Sequence, residues 1–292
     1  MRFGHHQSFY LRVNWLAKAF KMVAEDPRFF YDDFGFEKIG LGRNMVKSLR
    51  FWSVATGVMC EIKNEDKKPI HVLSDVGRLV REHDRFIRLP LTAAVIHILL
   101  ATEKGQASSW FWYFNVCKER SASVDELLPL LSKWAEQEHG KPVSEQSLRR
   151  DLECIRQLYT ARSHSGDDPE EVVASPLSQL NLLQETRQSL TRRSPSPADV
   201  DVDALFFSLL IYANRHGVNS VTWEELQLKP LLWGRLFHLN ASQIIEVLEL
   251  MHMDPNYNVK FIRTNQLHVL NFQCEDPIHF LARAFERRSV VL

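Results

Sequence analysis

Residues 40–56, GLGRNMVKSLRFWSVAT, decide the fold prediction because they join a glycine turn to an amphipathic helical pattern. Gly40 and Gly42 separate this pattern from a shorter helical pattern before it. Beyond them, apolar residues recur at spacings of three and four, as on one face of a helix: Met45, Val46, Leu49 and Trp52. A second face carries Arg43, Lys47 and Arg50. A short helix, a glycine turn and a helix with a cationic outer face are typical of a helix-turn-helix.

Two short strand patterns follow this helix, at residues 58–63 and 70–73, and the polar loop between them completes a hairpin. A helix-turn-helix followed by a hairpin predicts a winged-helix module, with the hairpin as its wing. In that arrangement we expect four side chains to contact DNA: Arg43, Asn44, Lys47 and Arg50. The alternative is three packed helices and a hairpin, whose surface cations have no binding role.

The rest of the chain repeats this pattern. Ser123 and Glu126 form a capping box that opens a helix, and a further helix from Ser144 to Tyr159 makes a second helix-turn-helix-like unit with acidic surroundings and a structural role. Three helices and a hairpin near the carboxyl end make a third. The fold class predicted is therefore mainly α, with several winged-helix or helix-turn-helix-like modules and short β-hairpins. The predicted parts are an N-terminal module, a helical domain, a connector and a C-terminal domain, at residues 1–73, 74–160, 161–200 and 201–292.

The composition is that of a soluble globular protein. The 292 residues carry no net charge, with 45% hydrophobic and 25% charged residues. Residues 1–120 hold 19 Lys and Arg against 13 Asp and Glu, so any polyanion should bind this part. The longest apolar stretch, 91–101, is about half of a bilayer span, which predicts no membrane segment. Four widely spaced cysteines suit a reducing compartment, so we expect a cytoplasmic protein.

Two aromatic or cationic stretches have competing interpretations. Residues 110–114, WFWYF, point in every direction on a helix, so most of them should be buried, with a base-stacking platform as the alternative. Arg192 and Arg193 precede a proline-rich stretch, which indicates a solvated linker more strongly than a phosphate contact.

Several motifs resemble the SspB-like family of single-stranded DNA phosphorothioation systems in bacterial defence. The strong N-terminal block is His6-Gln7-Ser8-Phe9-x-x-Arg12-x-x-Trp15-Leu16, and a second strong block covers the cationic helix at residues 41–52. Four weaker blocks follow at residues 77–79, 82–84, 110–114 and 144–151. One departure is His5, which stands where the family usually has glycine.

This resemblance implies a DNA-nicking endonuclease that depends on Mg²⁺ and opens the backbone for sulfur incorporation. It also implies three partner proteins, which are a cysteine desulfurase, an ATPase and a sulfurtransferase, and a homodimer is possible. Mg²⁺ needs hard oxygen ligands together with a group that orients or activates water.

The candidate site residues come from the blocks of resemblance. Asp32 and Asp33 could hold the metal with Glu37 one turn further on, although a helix cap and a solvated face explain the same residues. His83, between Glu82 and Asp84, could transfer a proton, or it could simply end a helix. His6 and Arg12 could meet a phosphate, and Arg12 could instead pair with Asp32 or Asp33.

These residues leave two alternatives to the endonuclease. The first is a non-catalytic adaptor that binds DNA and recruits the sulfur-transfer enzymes. The second is a scaffold that binds proteins alone and keeps its arginines in ion pairs.

Overall fold

The computed structural model describes residues 1–160, 174–186, 189–264 and 268–289. The polar start of the predicted connector, 163–171, lies outside these residues. Within them the chain is mainly helical with small antiparallel sheets, which confirms that part of the predicted fold class.

The first part of the chain packs three helices beside a two-stranded hairpin. Its elements are α1 (Trp15–Glu25), a 3₁₀ turn (Phe29–Tyr31), α2 (Gly35–Ile39), α3 (Arg43–Ala55), β1 (Met59–Lys63) and β2 (Pro69–Leu73). Gln7 and Ser8, in the segment before α1, have positive φ angles of 52° and 65°. β1 and β2 pair antiparallel, with Glu61 opposite His71.

The next elements are helical and deeply buried: α4 (Asp75–His83), α5 (Pro90–Thr102), α6 (Ser108–Phe111) and a π-helical turn (Trp112–Val116). The Ser74 hydroxyl accepts a hydrogen bond from the Gly77 amide and caps α4, as predicted. Trp110, Trp112, Tyr113 and Phe114 are each at most 2% exposed, so the aromatic run belongs to the core. This burial confirms the first of the two interpretations given above for that run.

Each of two further groups of elements contains a short strand that is followed by helices and then by a hairpin. The middle group is β3 (Ser121–Ser123), α7 (Val124–His139), α8 (Glu145–Tyr159), a 3₁₀ turn (Ser178–Leu180), β4 (Leu183–Thr186) and β5 (Ser189–Arg192). The last group is α9 (Pro197–Val200), α10 (Val202–His216), β6 (Ser220–Thr222), α11 (Trp223–Leu228), α12 (Trp233–Leu236), α13 (Ala241–Met253), β7 (Val259–Arg263), β8 (His268–Phe272) and α14 (Pro277–Ser289). Their antiparallel sheets have the orders β3-β5-β4 and β6-β8-β7.

The buried side chains form one hydrophobic cluster that extends from Tyr10 to Phe285. His97 in α5 shows how distant parts join, since its two ring nitrogens lie 2.7 Å from the Tyr159 hydroxyl and 2.8 Å from the Leu236 carbonyl oxygen. The domain division made from the sequence stays a prediction.

Across the described ranges, no helix has the length and apolar character needed to cross a membrane.

Gly77 provides a test of how α4 packs on the N-terminal part. A Cβ atom added there would overlap the Val58 carbonyl oxygen, which is backbone and cannot swing away. We expect Gly77→Ala to lower the free energy of unfolding by about 2–3 kcal/mol, as overpacked sites do. Urea unfolding would measure this, with Gly105→Ala as the control because nothing lies within 4 Å of a Cβ atom at Gly105. Equal stability of the two variants would contradict the close approach.

Candidate nucleic-acid interface

The turn between α2 and α3 sets the direction of the cationic helix. Gly40 ends α2 with a φ of 65°, a left-handed conformation that a residue with a side chain rarely adopts. Extended backbone at Gly42 then leads into α3. The inner face of α3 buries Leu49 and Trp52, while three polar residues on the outer face are exposed: Arg43, Asn44 and Lys47. This orientation confirms the amphipathic pattern read from the sequence.

Arg43 and Lys47 have no carboxylate partner in the described part of the chain. The Arg43 guanidinium instead lies 4.7 Å from the centroid of the Phe36 ring. No described residue accepts a hydrogen bond from the Arg43 guanidinium, so its N–H groups are available to an anion. The outer face of α3 therefore offers two uncompensated positive charges one helical turn apart.

Arg50 is in a different environment, because it lies in a cluster with three side chains. Its Nη2 atom donates to the Tyr31 hydroxyl at 2.9 Å and to Glu61 Oε2 at 2.5 Å, and its guanidinium lies 4.4 Å from the Tyr31 ring centroid. His71, opposite Glu61 in the hairpin, places its Nε2 atom 3.6 Å from the same carboxylate oxygen. We call Tyr31, Arg50, Glu61 and His71 the Arg50 cluster.

The electrostatics of the Arg50 cluster follow from that geometry. The hydrogen bond from Arg50 lowers the pKa of Glu61, so this carboxylate is ionised at neutral pH. Burial, together with the nearby Arg50 charge, lowers the pKa of His71 to about 4 and keeps the ring neutral. Burial also raises the pKa of Tyr31. Glu61 thus compensates the charge of Arg50, which is half-buried, so Arg50 is less available to an outside anion than Arg43.

The carboxylates predicted to bind metal lie beside α2. Both Asp32 oxygens are engaged, one with the Phe34 amide at 2.9 Å and the other with Lys38 Nζ at 2.6 Å. These hydrogen bonds, above all the one from Lys38, lower the pKa of Asp32. Asp33 and Glu37 are exposed. Asp32 therefore stabilises the turn that leads into α2, whose N-cap residue is Phe34 and has no side-chain capping hydrogen bond.

These residues do not fit a preformed magnesium site. Over the ranges that the structure describes, no three His, Cys, Asp or Glu side chains come close enough to hold a metal ion. Asp32 would also have to release Lys38 before binding a cation. The structure therefore gives no basis for assigning a catalytic step to a metal held by these carboxylates.

His6, predicted to meet a phosphate, is fully buried. Its Nε2 atom lies 2.9 Å from Asp151 Oδ1, and its ring is surrounded by those of Phe51, Trp52 and Trp110. In this position the ring does not reach solvent, and its contact with Asp151 holds the N-terminal segment against α8.

The other two candidates also pack against aromatic rings. The His83 ring stacks on Phe285 of α14, with centroids 5.2 Å apart and planes 5° apart. The Arg12 guanidinium lies 5.9 Å from the Tyr10 ring centroid and 5.7 Å from that of Trp15. No ion pair joins Arg12 to Asp32 or Asp33 among the described residues. The structure thus brings Arg43, Asn44 and Lys47 together at the surface, with Arg50 behind them, and places His6 and His83 elsewhere.

The sequence patterns did not predict the roles of Tyr31, Glu61 and His71. Pairing the two predicted strands around their loop places residue 61 opposite residue 72, whereas the observed register is one residue different and pairs Glu61 with His71. The contact of Tyr31 with this pair depends on how α3 packs on the hairpin, which the strand pattern does not contain.

Comparisons with known proteins agree with this architecture. A family model described as a protein of unknown function (DUF4007) matches residues 3–285. A crystal structure of SspB with bound magnesium ion aligns with a TM-score of 0.87 and 22% identity, and a second SspB crystal structure aligns with a TM-score of 0.86 and 22% identity. Each alignment covers 98% of this chain and 87% of the SspB chain. None of the curated proteins is matched in sequence. The resemblance read from the sequence motifs is confirmed.

Proposed function

Because the chain belongs to the DUF4007 family, we propose that it binds DNA within a phosphorothioation system and nicks the backbone so that sulfur can be incorporated. The SspB fold supports the link to such a system. Its partners would be the cysteine desulfurase, ATPase and sulfurtransferase that the resemblance implies, and a homodimer is part of the same proposal.

The observation that carries the DNA-binding part is the exposed pair of Arg43 and Lys47, neither of which has a carboxylate partner in the described residues. Two cations one turn apart on a helix can each contact a phosphate, and Asn44 beside them can donate to a backbone or base oxygen. Arg50 would support this face from behind, since Tyr31 and Glu61 fix its guanidinium.

We also propose that the three sheet-containing parts are winged-helix or helix-turn-helix-like modules. The strand orders β3-β5-β4 and β6-β8-β7, each built from a short strand and a later hairpin around helices, support this for the middle and last parts. The N-terminal part has only the β1-β2 hairpin among its described residues, with α3 as the helix that meets DNA.

The nicking activity is tested on supercoiled plasmid. We expect the purified protein to produce open circles with Mg²⁺ present and none with excess EDTA, because the resemblance implies a metal-dependent phosphodiesterase. Binding of a fluorescent duplex would be measured in parallel without metal. A protein that leaves the plasmid supercoiled under both conditions, yet binds the duplex, is not a nicking enzyme on its own.

The assignment of the reaction to the carboxylates has its own test. If the reaction uses the carboxylates that the resemblance implies, Asp33→Ala should slow nicking by at least about tenfold. The fold and the DNA affinity should not change, because Asp33 is exposed. The corresponding variant at position 32 is Asp32→Asn, because the side-chain amide oxygen of asparagine can still accept the hydrogen bond from the Phe34 backbone amide. Normal nicking by both variants would remove Asp32 and Asp33, and with them Glu37, from the proposed site.

The second candidate function is a non-catalytic adaptor that binds DNA and recruits the sulfur-transfer enzymes. It is favoured by the engagement of both Asp32 oxygens and by the finding that no group of three metal-binding side chains occurs in the described ranges. Duplex binding that depends on salt, without plasmid nicking in the presence of the partner proteins, would decide for the adaptor.

A further inference from the structure

The loop between α4 and α5, residues 84–89, presents two arginines on one aromatic ring. The Arg85 guanidinium lies 4.9 Å from the Phe86 ring centroid, and the Arg88 guanidinium lies 5.4 Å from the same centroid. Both arginines are exposed, while Phe86 is half-buried. We call residues 84–89 the arginine loop.

The backbone of the arginine loop is fixed from the inside. The buried Asp84 carboxylate accepts hydrogen bonds from the Arg88 amide at 2.9 Å and from the Leu89 amide at 2.8 Å. Ile87 is buried with a φ of 55°, a costly conformation for a β-branched residue, and its carbonyl oxygen accepts from Gln179 Nε2 at 3.0 Å. These contacts hold the backbone of the loop in place. The backbone positions from which the two arginine side chains extend are therefore fixed.

Neither guanidinium has a hydrogen-bond or ion-pair partner in the parts of the chain that the structure describes. Other arginines of this protein pair with carboxylates, as Arg149 does with Asp125 at 2.6 Å and Arg283 with Glu275 at 2.6 Å. In the arginine loop both guanidiniums lie over the Phe86 ring instead, and no described residue engages their N–H groups. Such a group binds a phosphate through two parallel hydrogen bonds.

We propose that the arginine loop holds the phosphate backbone of a nucleic acid, as a second contact beside that of α3. The proposal rests on the proposed function, since it extends the DNA contact of the same protein. A polyanion is the ligand that fits, because the Asp84 carboxylate is engaged by backbone amides and neither guanidinium pairs with a carboxylate among the described residues. The guanidiniums cover the Phe86 ring, so the loop contacts phosphates without stacking on a base and without reading the sequence.

The test is the affinity for a fluorescent 20-base-pair duplex at several NaCl concentrations, measured without metal. We expect Arg85→Gln/Arg88→Gln to bind about tenfold more weakly at moderate salt, with a slope of log affinity against log salt that is shallower by about 1.8. The matched control is Lys141→Gln/Arg215→Gln, which removes two exposed cations that lack an ion partner among the described residues, and it should keep the wild-type slope.

Each outcome separates this proposal from the proposed function. Wild-type affinity and slope in the arginine-loop variant, with weak binding by a variant of α3, would overturn the loop contact and leave the DNA-binding function intact. No duplex binding by the wild-type protein would overturn both. Should the double variant fail to fold, Arg85→Lys/Arg88→Lys keeps the charges and loses the paired hydrogen bonds. It should bind several-fold more weakly with an unchanged slope, and wild-type affinity would contradict the proposal.

Discussion

Exchanging Arg43 and Lys47 for glutamate should lower the affinity for duplex DNA by about a hundredfold at moderate salt, because two phosphate contacts become two repulsions. Both side chains are exposed and have no carboxylate partner in the described residues, so the exchange breaks no internal ion pair. The fold should therefore survive, and thermal unfolding of the free protein should change little. Fluorescence anisotropy with a labelled duplex would measure the affinity.

The control for this variant must change the total charge equally. Lys133→Glu/Lys141→Glu makes the same change of four charge units on exposed residues of the middle part. If DNA is attracted only by the total charge, both double variants should weaken binding to the same extent. A specific contact of α3 requires that the control stay within a few-fold of wild type.

Arg50 is left out of that variant for a structural reason. It donates to both Tyr31 and Glu61, so Arg50→Glu would place two carboxylates against each other and disturb the Arg50 cluster as well as any DNA contact. A loss of binding would then have two explanations. From the sequence alone Arg50 is equivalent to Lys47, and only the packing of α3 against β1 distinguishes them.

Local patterns accounted for much of this fold. The spacing of apolar residues predicted α3 within one residue at its end, and the hydrogen bonds that define a capping box occur at Ser123 and Thr222 as their sequences indicate. These features depend on residues a few positions apart, so a single sequence contains their signal. Strands of three residues, such as β3 and β6, are too short to show an alternation and were missed.

The candidate site was predicted only in part, because its chemistry depends on contacts between distant residues. Exposure of Arg43 and Lys47 follows from the helical period, but the engagement of Arg50 with Glu61 depends on the hairpin register. The same holds for His6, whose partner Asp151 is 145 residues away. Because His6 belongs to a signature motif, the sequence suggests that it contacts a phosphate. Its contact with the buried Asp151 carboxylate, far along the chain, gives it a structural role instead.

Asp151 joins three separate segments, and its loss should destabilise the fold strongly. Its carboxylate, 1% exposed, accepts hydrogen bonds from the Gly4 amide at 2.9 Å, from His6 Nε2 at 2.9 Å and from the Ser109 hydroxyl at 2.6 Å. We expect Asp151→Ala to lower the free energy of unfolding by about 3–5 kcal/mol, because two buried donors and one part-buried donor lose their acceptor. For a chain of this length the unfolding temperature should fall by about 5–8 °C.

Asp125→Ala is the matched control, since the Asp125 carboxylate pairs with Arg149 at the surface, where its side chain is 79% exposed. An exposed pair contributes at most about 1 kcal/mol, so urea unfolding should separate the two variants clearly. If both variants lose equally little stability, the buried carboxylate does not hold the N-terminal segment.

His6→Ala distinguishes a structural role of this histidine from a phosphate contact. Because the ring is fully buried, the variant should lose stability yet bind duplex DNA normally at a temperature where it is folded. Weak DNA binding by a folded His6→Ala protein would return His6 to the phosphate contact that its place in the signature motif suggests.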